Sequence, residues 1–322
     1  MCGCDSPKED SNSPASLVVY SGRKEPLIGP LIKKFSEASG IEVQMRYAKT
    51  AELAALILDE GKNSPADVFF AQDAGALGAL SDRGVLRKLA SELLPVDKRF
   101  RSPKDDWVGV SGRARVVAYN TKKLTAEDLP ATIFGFTDPK WKGRIGWPPT
   151  NGSFQAFVTA MRVTMGEAKT REWLLGIKAN NPKEYPSNTT SVRAVSTGEV
   201  DVAFVNHYYL FRFLQEKGDD FPVRNHYLSN GDVGALINVA GAGILRTSQN
   251  SEAAERFVSY LISKDAQQYF ADKTFEYPLK EGVKIHSLLI PLAQIGHPNI
   301  NLSELSDLKV TLELLRETGV LP

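Results

Sequence analysis

Two adjacent tyrosines, Tyr208 and Tyr209, are the residues of this sequence whose type and position most suggest metal chemistry. They follow the apolar run 202–205 and Asn206, where a buried strand is predicted to end and a helix to begin. In a strand, neighbouring side chains point to opposite faces, but at a strand-to-helix turn both can lean toward one point. A tyrosine titrates near pH 10, so its phenolate needs a strong cation beside it. The pair therefore suggests a hard ion such as Fe³⁺, with packing against the core as the alternative.

Two loop-to-helix junctions could hold an anion. The first contains Thr150, Asn151, Gly152 and Ser153, and the second begins at Asn188. In the first junction Asn151 or Ser153 is predicted to cap the helix, and Gly152 would let the backbone approach a ligand closely. Free N–H groups and the helix dipole attract anions at such a position. A plain helix cap is the alternative interpretation of each junction, and Asn206 is predicted to cap the tyrosine helix in the same way.

Three arginines could hold an oxyanion together with these junctions. Arg23 lies in the loop after the first predicted strand, and Arg113 and Arg115 flank Ala114 in a long extended segment. Residues 113 and 115 would share one face of a strand, and a guanidinium can grip an oxyanion through two parallel hydrogen bonds. Salt bridges are the alternative role for each arginine. His207 is predicted to be a turn residue whose side chain backs the site.

Enzyme motifs are missing from the sequence. The four histidines show no H-E-x-x-H spacing, and there is no G-x-S-x-G elbow, Walker A loop or Rossmann glycine pattern. The two cysteines, Cys2 and Cys4, both lie at the N-terminal end, so the body of the chain has no disulfide and no cysteine nucleophile. The net charge of +1 gives no reason to expect a nucleic acid. A binding protein is predicted, not an enzyme.

The first sixteen residues are polar, are rich in Ser, Pro, Asp and Glu, and are predicted to form a flexible leader. A cysteine before such a tether, here Cys4, resembles the lipidated N-terminus of a bacterial exported lipoprotein. An inert tail or a Cys-X-Cys metal or redox pair is the alternative. No apolar run approaches the roughly 20 residues that would cross a bilayer. We therefore expect the protein to associate with a membrane only through a lipid anchor.

Strand and helix patterns alternate along the chain, which predicts an α/β protein with a largely parallel sheet in its first part. The length of 322 residues favours two lobes. Two long apolar segments with glycines, 107–120 and 234–245, could each run from one lobe to the other, and such a pair permits hinge motion. The predicted boundaries are 1–16 for the leader, 17–112 plus 238–280 for lobe 1, and 113–237 plus 281–322 for lobe 2.

Eight segments follow one another in a specific order along the chain: VVYSGR, SPADVFFAQDAGALGAL, WVGVSGRARVVAYN, PKWKGRIGW, PTNGSFQAFV, TGEVDVAFVNHYYL, GALINVAGAGIL and EYPL. With these segments, the sequence from about 17 to 322 resembles the periplasmic ferric-iron-binding proteins of bacterial ABC transporters, which have the two-lobed type II solute-binding fold. The resemblance implies an exported receptor, periplasmic or lipid-anchored to the outer face of the cytoplasmic membrane. A monomer is expected, which hands ferric ion or a ferric chelate to an ABC transporter permease.

The resemblance also implies roles for individual residues. Tyr208 and Tyr209 would coordinate Fe³⁺, and an exogenous anion, carbonate (bicarbonate) or phosphate, would sit on the helix start from Thr150 to Ser153. Asn188 and Asn206 would support this anion. Arg23 would help to hold it. From its position in the predicted crossover strand, and not from the resemblance, Arg115 is also expected to hold the anion.

The sequence departs from the family pattern at three positions. Some members have a histidine ligand in the first loop, where this chain has Arg23 and Lys24, and the glutamate ligand of those members is Gln72 here. A third tyrosine of other members is replaced by Trp147, which offers no oxygen donor. Anions or waters, or a further tyrosine not identified from the sequence, would therefore have to complete the metal shell. The rival hypothesis is a binding protein for an oxyanion or phosphonate-like ligand, without metal, whose tyrosines serve as pocket walls.

Overall fold

The computed structural model describes residues 16–228 and 231–322. The predicted leader, with Cys2 and Cys4, lies outside these residues, except that Ser16 already belongs to the first strand. Within the described ranges, no helix is long and apolar enough to cross a membrane.

The first part of the chain alternates strands and helices as predicted. Its elements are β1 (Ser16–Ser21), α1 (Glu25–Ser39), β2 (Glu42–Tyr47), α2 (Thr50–Glu60), β3 (Val68–Ala71) and α3 (Ala74–Asp82). Apolar residues at helical spacing, Ile28, Leu31, Ile32 and Phe35, bury one face of α1. Gly40 ends this helix in the left-handed conformation that glycine adopts without steric cost. The carboxyl ends of β1 and β3 lead directly to Arg23 and Gln72.

The remainder of the chain contains the crossover strands and the second group of helices. Its elements are β4 (Val108–Asn120), β5 (Ile145–Trp147), α4 (Gly152–Met165), α5 (Glu167–Ala179), β6 (Lys183–Glu184), α6 (Asn188–Thr197), β7 (Val202–Asn206), α7 (Tyr208–Lys217), β8 (Val223–His226), β9 (Ile237–Ile244), α8 (Ser251–Leu261), α9 (Lys264–Tyr269), β10 (Tyr277–Pro278) and α10 (Leu308–Glu317). A single π-helical turn, Phe270–Thr274, joins α9 to β10. Short 3₁₀ turns make up several of the other connections.

One strand, β4, organises the whole sheet. The strand order is β2-β1-β3-β9-β4-β7-β5-β6, with β8 and β10 also pairing with β4. Residues 108–114 of β4 pair antiparallel with β9, and residues 115–119 pair antiparallel with β7. β1 pairs parallel with both β2 and β3, whereas β3 pairs antiparallel with β9. The long segment 107–120 therefore runs through two halves of the fold, and all but one residue of β4 are buried.

Two histidines close the ladder between β4 and β9 at its last rung, Ala114 opposite Ile237. The backbone N–H of Ala114 donates to His207 Nδ1 at 3.1 Å, and that of Ile237 donates to His297 Nδ1 at 3.0 Å. Each imidazole thus satisfies a buried amide where the two crossover strands separate. An unpaired amide there would carry a desolvation penalty.

The C-terminal chain contacts helices of both halves. The turn Leu302–Ser306 lies on α3 at Gly75 and Gly78, where an added Cβ would come within 2.5 and 2.3 Å of backbone carbonyl oxygens. α10 packs on α4, with a buried hydrogen bond of 2.8 Å between Thr311 and Thr159. The glycines of α3 therefore permit a close approach of chain to helix. The predicted lobe boundaries, including 281–322 in lobe 2, remain predictions.

We expect His297 to make the folded protein less stable in acid. Burial, reinforced by the charge of Arg99 and opposed by that of Asp97, lowers the pKa of His297 to about 4. Between about pH 6.5 and 4, His297 is protonated in the unfolded chain but stays neutral in the folded chain. The free energy of unfolding therefore falls as the pH falls through this window. His297→Asn keeps an acceptor for Ile237 but cannot titrate.

Urea unfolding at pH 7.5 and 4.5 measures this effect. The loss of stability between the two pH values should be smaller in His297→Asn, by about 2 kcal/mol. Equal losses in the variant and the parent protein would show that His297 does not titrate differently on folding.

Candidate functional site

The tyrosine pair sits at the junction of β7 and α7, at the start of the helix. β7 ends at Asn206, and His207 is the cap residue, already helical in backbone conformation and without a side-chain cap bond. The prediction that Asn206 caps this helix is wrong, because its side chain accepts a hydrogen bond from Arg115 instead. The rings of Tyr208 and Tyr209 stack, with centroids 4.4 Å apart and planes 28° from parallel. Tyr208 is 5% exposed and Tyr209 is half-buried.

A cation lies beside both phenol rings. The guanidinium of Arg212, one turn further along α7, is 5.2 Å from the centroid of the Tyr208 ring and 5.3 Å from that of Tyr209. Its spacing of four and three residues from the tyrosines places it on the same helix face. Sequence reasoning missed Arg212, although this spacing could have identified it.

Arg115 links the tyrosine junction to helix α4. Its Nη1 donates to Asn206 Oδ1 at 3.1 Å, and its guanidinium lies 5.2 Å from the ring centroid of Phe157. Its Nη2 is buried and has no hydrogen-bond partner within the described residues. Burial lowers the pKa of Arg115 to about 9, and charge on Tyr208 and Tyr209 would oppose that shift. A buried guanidinium with a free N–H is suited to receive an anionic oxygen.

A second buried group forms around Arg23. Its Nη2 lies 2.9 and 3.0 Å from the two carboxylate oxygens of Glu276, and its Nη1 donates to Gln72 Oε1 at 2.9 Å. Ser111 also donates to Glu276, and Arg113 donates to the backbone carbonyl of Gln72. The Nε atoms of Arg23 and Arg113 are buried and have no partner among the described residues. The predicted anion residue Arg23 is thus already held by a carboxylate.

Glu276 is the functional residue that sequence reasoning passed over, although it opens the segment EYPL. It is 2% exposed. Burial alone would raise its pKa, but the charges of Arg23 and Arg113 and the hydrogen bonds from Ser111 and Arg23 hold the pKa of this carboxyl below its ordinary value. Glu276 therefore carries a negative charge inside the protein at neutral pH.

The phenol of Tyr208 is protonated in the metal-free protein at neutral pH. Burial is the main cause that raises the pKa of Tyr208 well above its ordinary value of 10. The neighbouring Tyr209 and Glu276 raise this pKa further, while Arg113 opposes them. Ionising Tyr208 therefore requires a positive charge stronger than the arginines supply, such as a bound metal ion.

The third group lies at the start of α4. Of the two predicted caps, Asn151 and Ser153, it is Asn151 that caps this helix. Its Oδ1 accepts from the backbone N–H of Ser153 at 3.0 Å and from the Ser153 hydroxyl at 2.6 Å. Asn188 Nδ2 lies 3.2 Å from Ser153 Oγ, although Ser187, not Asn188, caps α6. An added Cβ at Gly152 would meet open space, and Thr150 is exposed. The helix N-terminus is therefore open to an incoming anion.

Three predicted site residues offer no metal donor in this arrangement. Trp147 is 1% exposed and packs edge-on against Phe154, with ring centroids 5.6 Å apart. The amide oxygen of Gln72 is occupied by Arg23. Both ring nitrogens of His207 are engaged, Nδ1 with Ala114 and Nε2 with the carbonyl of Phe275 at 2.8 Å. Burial lowers the pKa of His207 to about 4, so the ring is neutral.

Taken together, the tyrosines, Arg115 and the Arg23–Glu276 group form a connected site with excess positive charge. Three arginines of this site, Arg23, Arg113 and Arg115, are buried. Arg23 is paired with the buried carboxylate of Glu276, and Arg113 also acts on the charge of that carboxylate. The helix-start group of α4 is not hydrogen-bonded to the tyrosines in the part of the chain that the structure describes. No cluster of three or more His, Cys, Asp and Glu side chains occurs within residues 16–228 and 231–322. The site therefore provides phenol oxygens that can bind a metal and N–H groups that can donate hydrogen bonds to an anion.

These features define a class of protein: an α/β receptor with two halves joined by crossover strands and a ligand site where strand ends meet helix starts. The bacterial extracellular solute-binding protein family matches residues 52–288. The chain belongs to this family.

The relatives narrow the class further. The chain is 36% identical over 310 residues to the major ferric iron-binding protein of Neisseria meningitidis, covering 95% of this chain and 93% of the relative. It is 30% identical over 308 residues to the Fe(3+)-binding periplasmic protein of Serratia marcescens, covering 95% and 90%. These relatives are binding proteins, which confirms the prediction that the chain is not an enzyme.

Solved structures share the fold. Iron-bound HitA from Pseudomonas aeruginosa superposes with a TM-score of 0.87 at 35% identity, over 95% of this chain and 100% of that one. A Trichodesmium protein in complex with iron and citrate superposes with a TM-score of 0.84 at 29% identity, over 95% and 99%. The predicted two-lobed type II solute-binding fold, with its two crossover strands, is confirmed.

We expect Glu276→Gln to destabilise the protein because it leaves Arg23 buried without a counter-charge. Removing one partner of a buried ion pair typically costs about 3 kcal/mol or more. The matched control is Glu255→Gln, which removes the carboxylate of a surface pair with Arg87 at 2.9 Å and should cost less than about 1 kcal/mol. Urea unfolding of both variants at pH 7.5 measures the difference, and equal losses would contradict a buried charge at Glu276.

Proposed function

We propose that this protein captures Fe³⁺ together with an exogenous oxyanion and delivers the iron to an ABC transporter permease for uptake. The observation that supports this most is the stacked pair Tyr208 and Tyr209 beside buried arginines. Ferric-binding names among the relatives agree with it.

Tyr208 and Tyr209 are the proposed protein ligands. Fe³⁺ is a hard, highly charged ion, and it would displace the phenol protons that burial otherwise retains on Tyr208. Each phenolate supplies one oxygen. Because Gln72, Trp147 and His207 offer no further donor, exogenous oxygens would complete the metal shell.

Carbonate is the proposed anion, with phosphate as the alternative. It would rest on the open start of α4, at Thr150 to Ser153, where Gly152 leaves room for close approach. Asn188 and Asn206 would orient it, and Arg115 and Arg23 would neutralise it through their free N–H groups. The anion would therefore bind to the excess positive charge and to the iron at once.

The cellular setting follows from the same proposal. The protein would act in the periplasm, as a monomer, either free or tethered through a lipid anchor at Cys4. It would take up ferric ion or a ferric chelate and pass it to the permease. Closure of the two lobes about β4 and β9 would exclude water and strengthen each electrostatic contact.

A second function is favoured by one observation. Three buried arginines each retain an N–H without a partner in the described chain, and such a set would also suit an oxyanion or phosphonate-like ligand without metal. Thermal-shift measurements separate the two functions. Iron with bicarbonate should raise the melting temperature more than phosphate, sulfate or a phosphonate alone, and the reverse order would favour the second function.

Loading stripped protein with ferric citrate and bicarbonate should produce a visible phenolate-to-iron charge-transfer band. The band should be absent in the double variant Tyr208→Phe/Tyr209→Phe, because phenylalanine has no oxygen to bind the metal. Tyr260→Phe is the control, since Tyr260 packs on Phe35, away from the site. A colourless wild-type protein, or a band that persists in the double variant, would contradict the proposal.

Iron binding should release protons, and fewer from Tyr208→Phe than from the wild type. Because the pKa of Tyr208 lies above 10, this phenol holds its proton at neutral pH and must lose it to the metal. The apparent affinity should therefore rise by about tenfold per pH unit for this one group. Indicator-dye measurements in weak buffer give the number of protons released, which should be about one lower in Tyr208→Phe. Equal release would show that Tyr208 does not bind the metal as phenolate.

A further inference from the structure

His207 holds the start of the tyrosine helix from two directions. Its Nδ1 accepts from the backbone of Ala114 on β4, and its Nε2 donates to the carbonyl of Phe275. The residue is fully buried, and its own backbone carbonyl accepts from Asn225 Nδ2 at 2.9 Å. Because both ring nitrogens and the backbone carbonyl are hydrogen-bonded, His207 has little freedom to move.

The ring of His207 also contacts aromatic neighbours. It lies edge-on to Tyr208, with centroids 5.6 Å apart and planes 88° from parallel, and 4.7 Å from Tyr277. Movement of the imidazole would therefore move the Tyr208 ring directly. No such contact joins the imidazole to the ring of Tyr209, which instead stacks on Tyr208.

The Phe275 carbonyl is itself fixed by an uncommon backbone. Phe275 has φ of +57°, in the left-handed region, and follows the π-helical turn Phe270–Thr274. Such a conformation is costly for a residue other than glycine and persists where its surroundings hold it. Here the Phe275 ring stacks on Phe211 of the tyrosine helix, with centroids 5.6 Å apart. The next residue is Glu276, which holds Arg23.

We propose that His207 is a positioning residue for iron binding, which orients Tyr208 by locking the start of α7 to the crossover strand β4 and to the Phe275–Glu276 segment. This inference rests on the proposed function. It also connects a ligand in one predicted lobe to Arg23 in the other through a short path of contacts: Tyr208, His207, Phe275, Glu276 and Arg23.

Two variants separate the two hydrogen bonds of the His207 ring, because each retains only one of them. His207→Asn places an amide oxygen near the position of Nδ1 and so retains an acceptor for Ala114, but it does not reach Phe275. His207→Gln places an amide nitrogen near Nε2 and retains the donor to Phe275. Each should weaken ferric binding with bicarbonate roughly tenfold, as expected for one buried hydrogen bond, and should shift the charge-transfer band.

His297→Asn is the matched control. His297 accepts from Ile237 on the same rung of the β4–β9 ladder, but it contacts Phe100 instead of the tyrosines. The control should leave the position of the band unchanged. If the variants acted by a general loosening of the crossover strands, His207→Asn and His297→Asn would weaken iron binding and shift the band alike. That result would overturn the proposal.

A double-mutant cycle with Tyr208→Phe provides the decisive readout. If His207 acts through Tyr208, His207→Asn should cause no further loss of iron affinity in the Tyr208→Phe background. An equal loss in both backgrounds, or wild-type affinity and band in both His207 variants, would overturn the proposal. The band of the wild-type protein tests the proposed function separately, because the proposal for His207 concerns only differences among variants.

A second measurement needs no iron. The near-ultraviolet circular dichroism of the metal-free protein includes a contribution from the stacked rings of Tyr208 and Tyr209, so the tyrosine region of the spectrum should change in His207→Asn but not in His297→Asn. An unchanged spectrum in a folded His207→Asn protein would contradict the positioning role.

Discussion

The site depends on positive charge buried around two stacked phenols, of which Tyr208 holds its proton because burial raises its pKa. Arg23, Arg113 and Arg115 lie inside the protein, and Glu276 is the carboxylate that pairs with Arg23. Buried charge without compensation is costly, and three guanidinium groups retain N–H donors that no described residue satisfies. In the proposed function, an arriving anion would relieve this cost, and an arriving Fe³⁺ would supply the field that ionises the phenols. The bound anion would also offset the positive charge that the arginines present to Fe³⁺, so anion and cation would favour each other's binding.

The fold creates this arrangement by running a single strand through both halves of the sheet. β4 carries Arg113 where it pairs with β9 and Arg115 where it begins to pair with β7. The tyrosines follow β7 directly, so its pairing with β4 brings them to the arginines. Glu276 immediately precedes β10, which pairs with the same strand, Tyr277 opposite Gly112. Movement between the halves would thus change the spacing of ligand and anion groups together.

The sequence predicted the parts of this site that depend on local pattern. Alternating apolar runs located the strands, the cap of α4 was narrowed to Asn151 or Ser153, and the adjacent tyrosines were placed at a strand-to-helix turn. The errors involve partners that are distant along the chain. Asn206 has the chemistry of a cap but bonds to Arg115, and Glu276 meets Arg23 across 253 residues. The two bonds of His207 likewise join elements that only the folded sheet brings together, so local pattern could mark it only as a turn residue.

The most direct test of the central claim is the location of the metal in crystals of protein loaded with ferric iron and bicarbonate. Anomalous diffraction measured across the iron absorption edge identifies the ion without reference to the protein atoms. The account predicts a single iron peak bonded to the hydroxyl oxygens of both Tyr208 and Tyr209, with non-protein oxygen density between the iron and the start of α4. Iron bound elsewhere, or an anion in the site with both hydroxyls turned away from any metal, would contradict it.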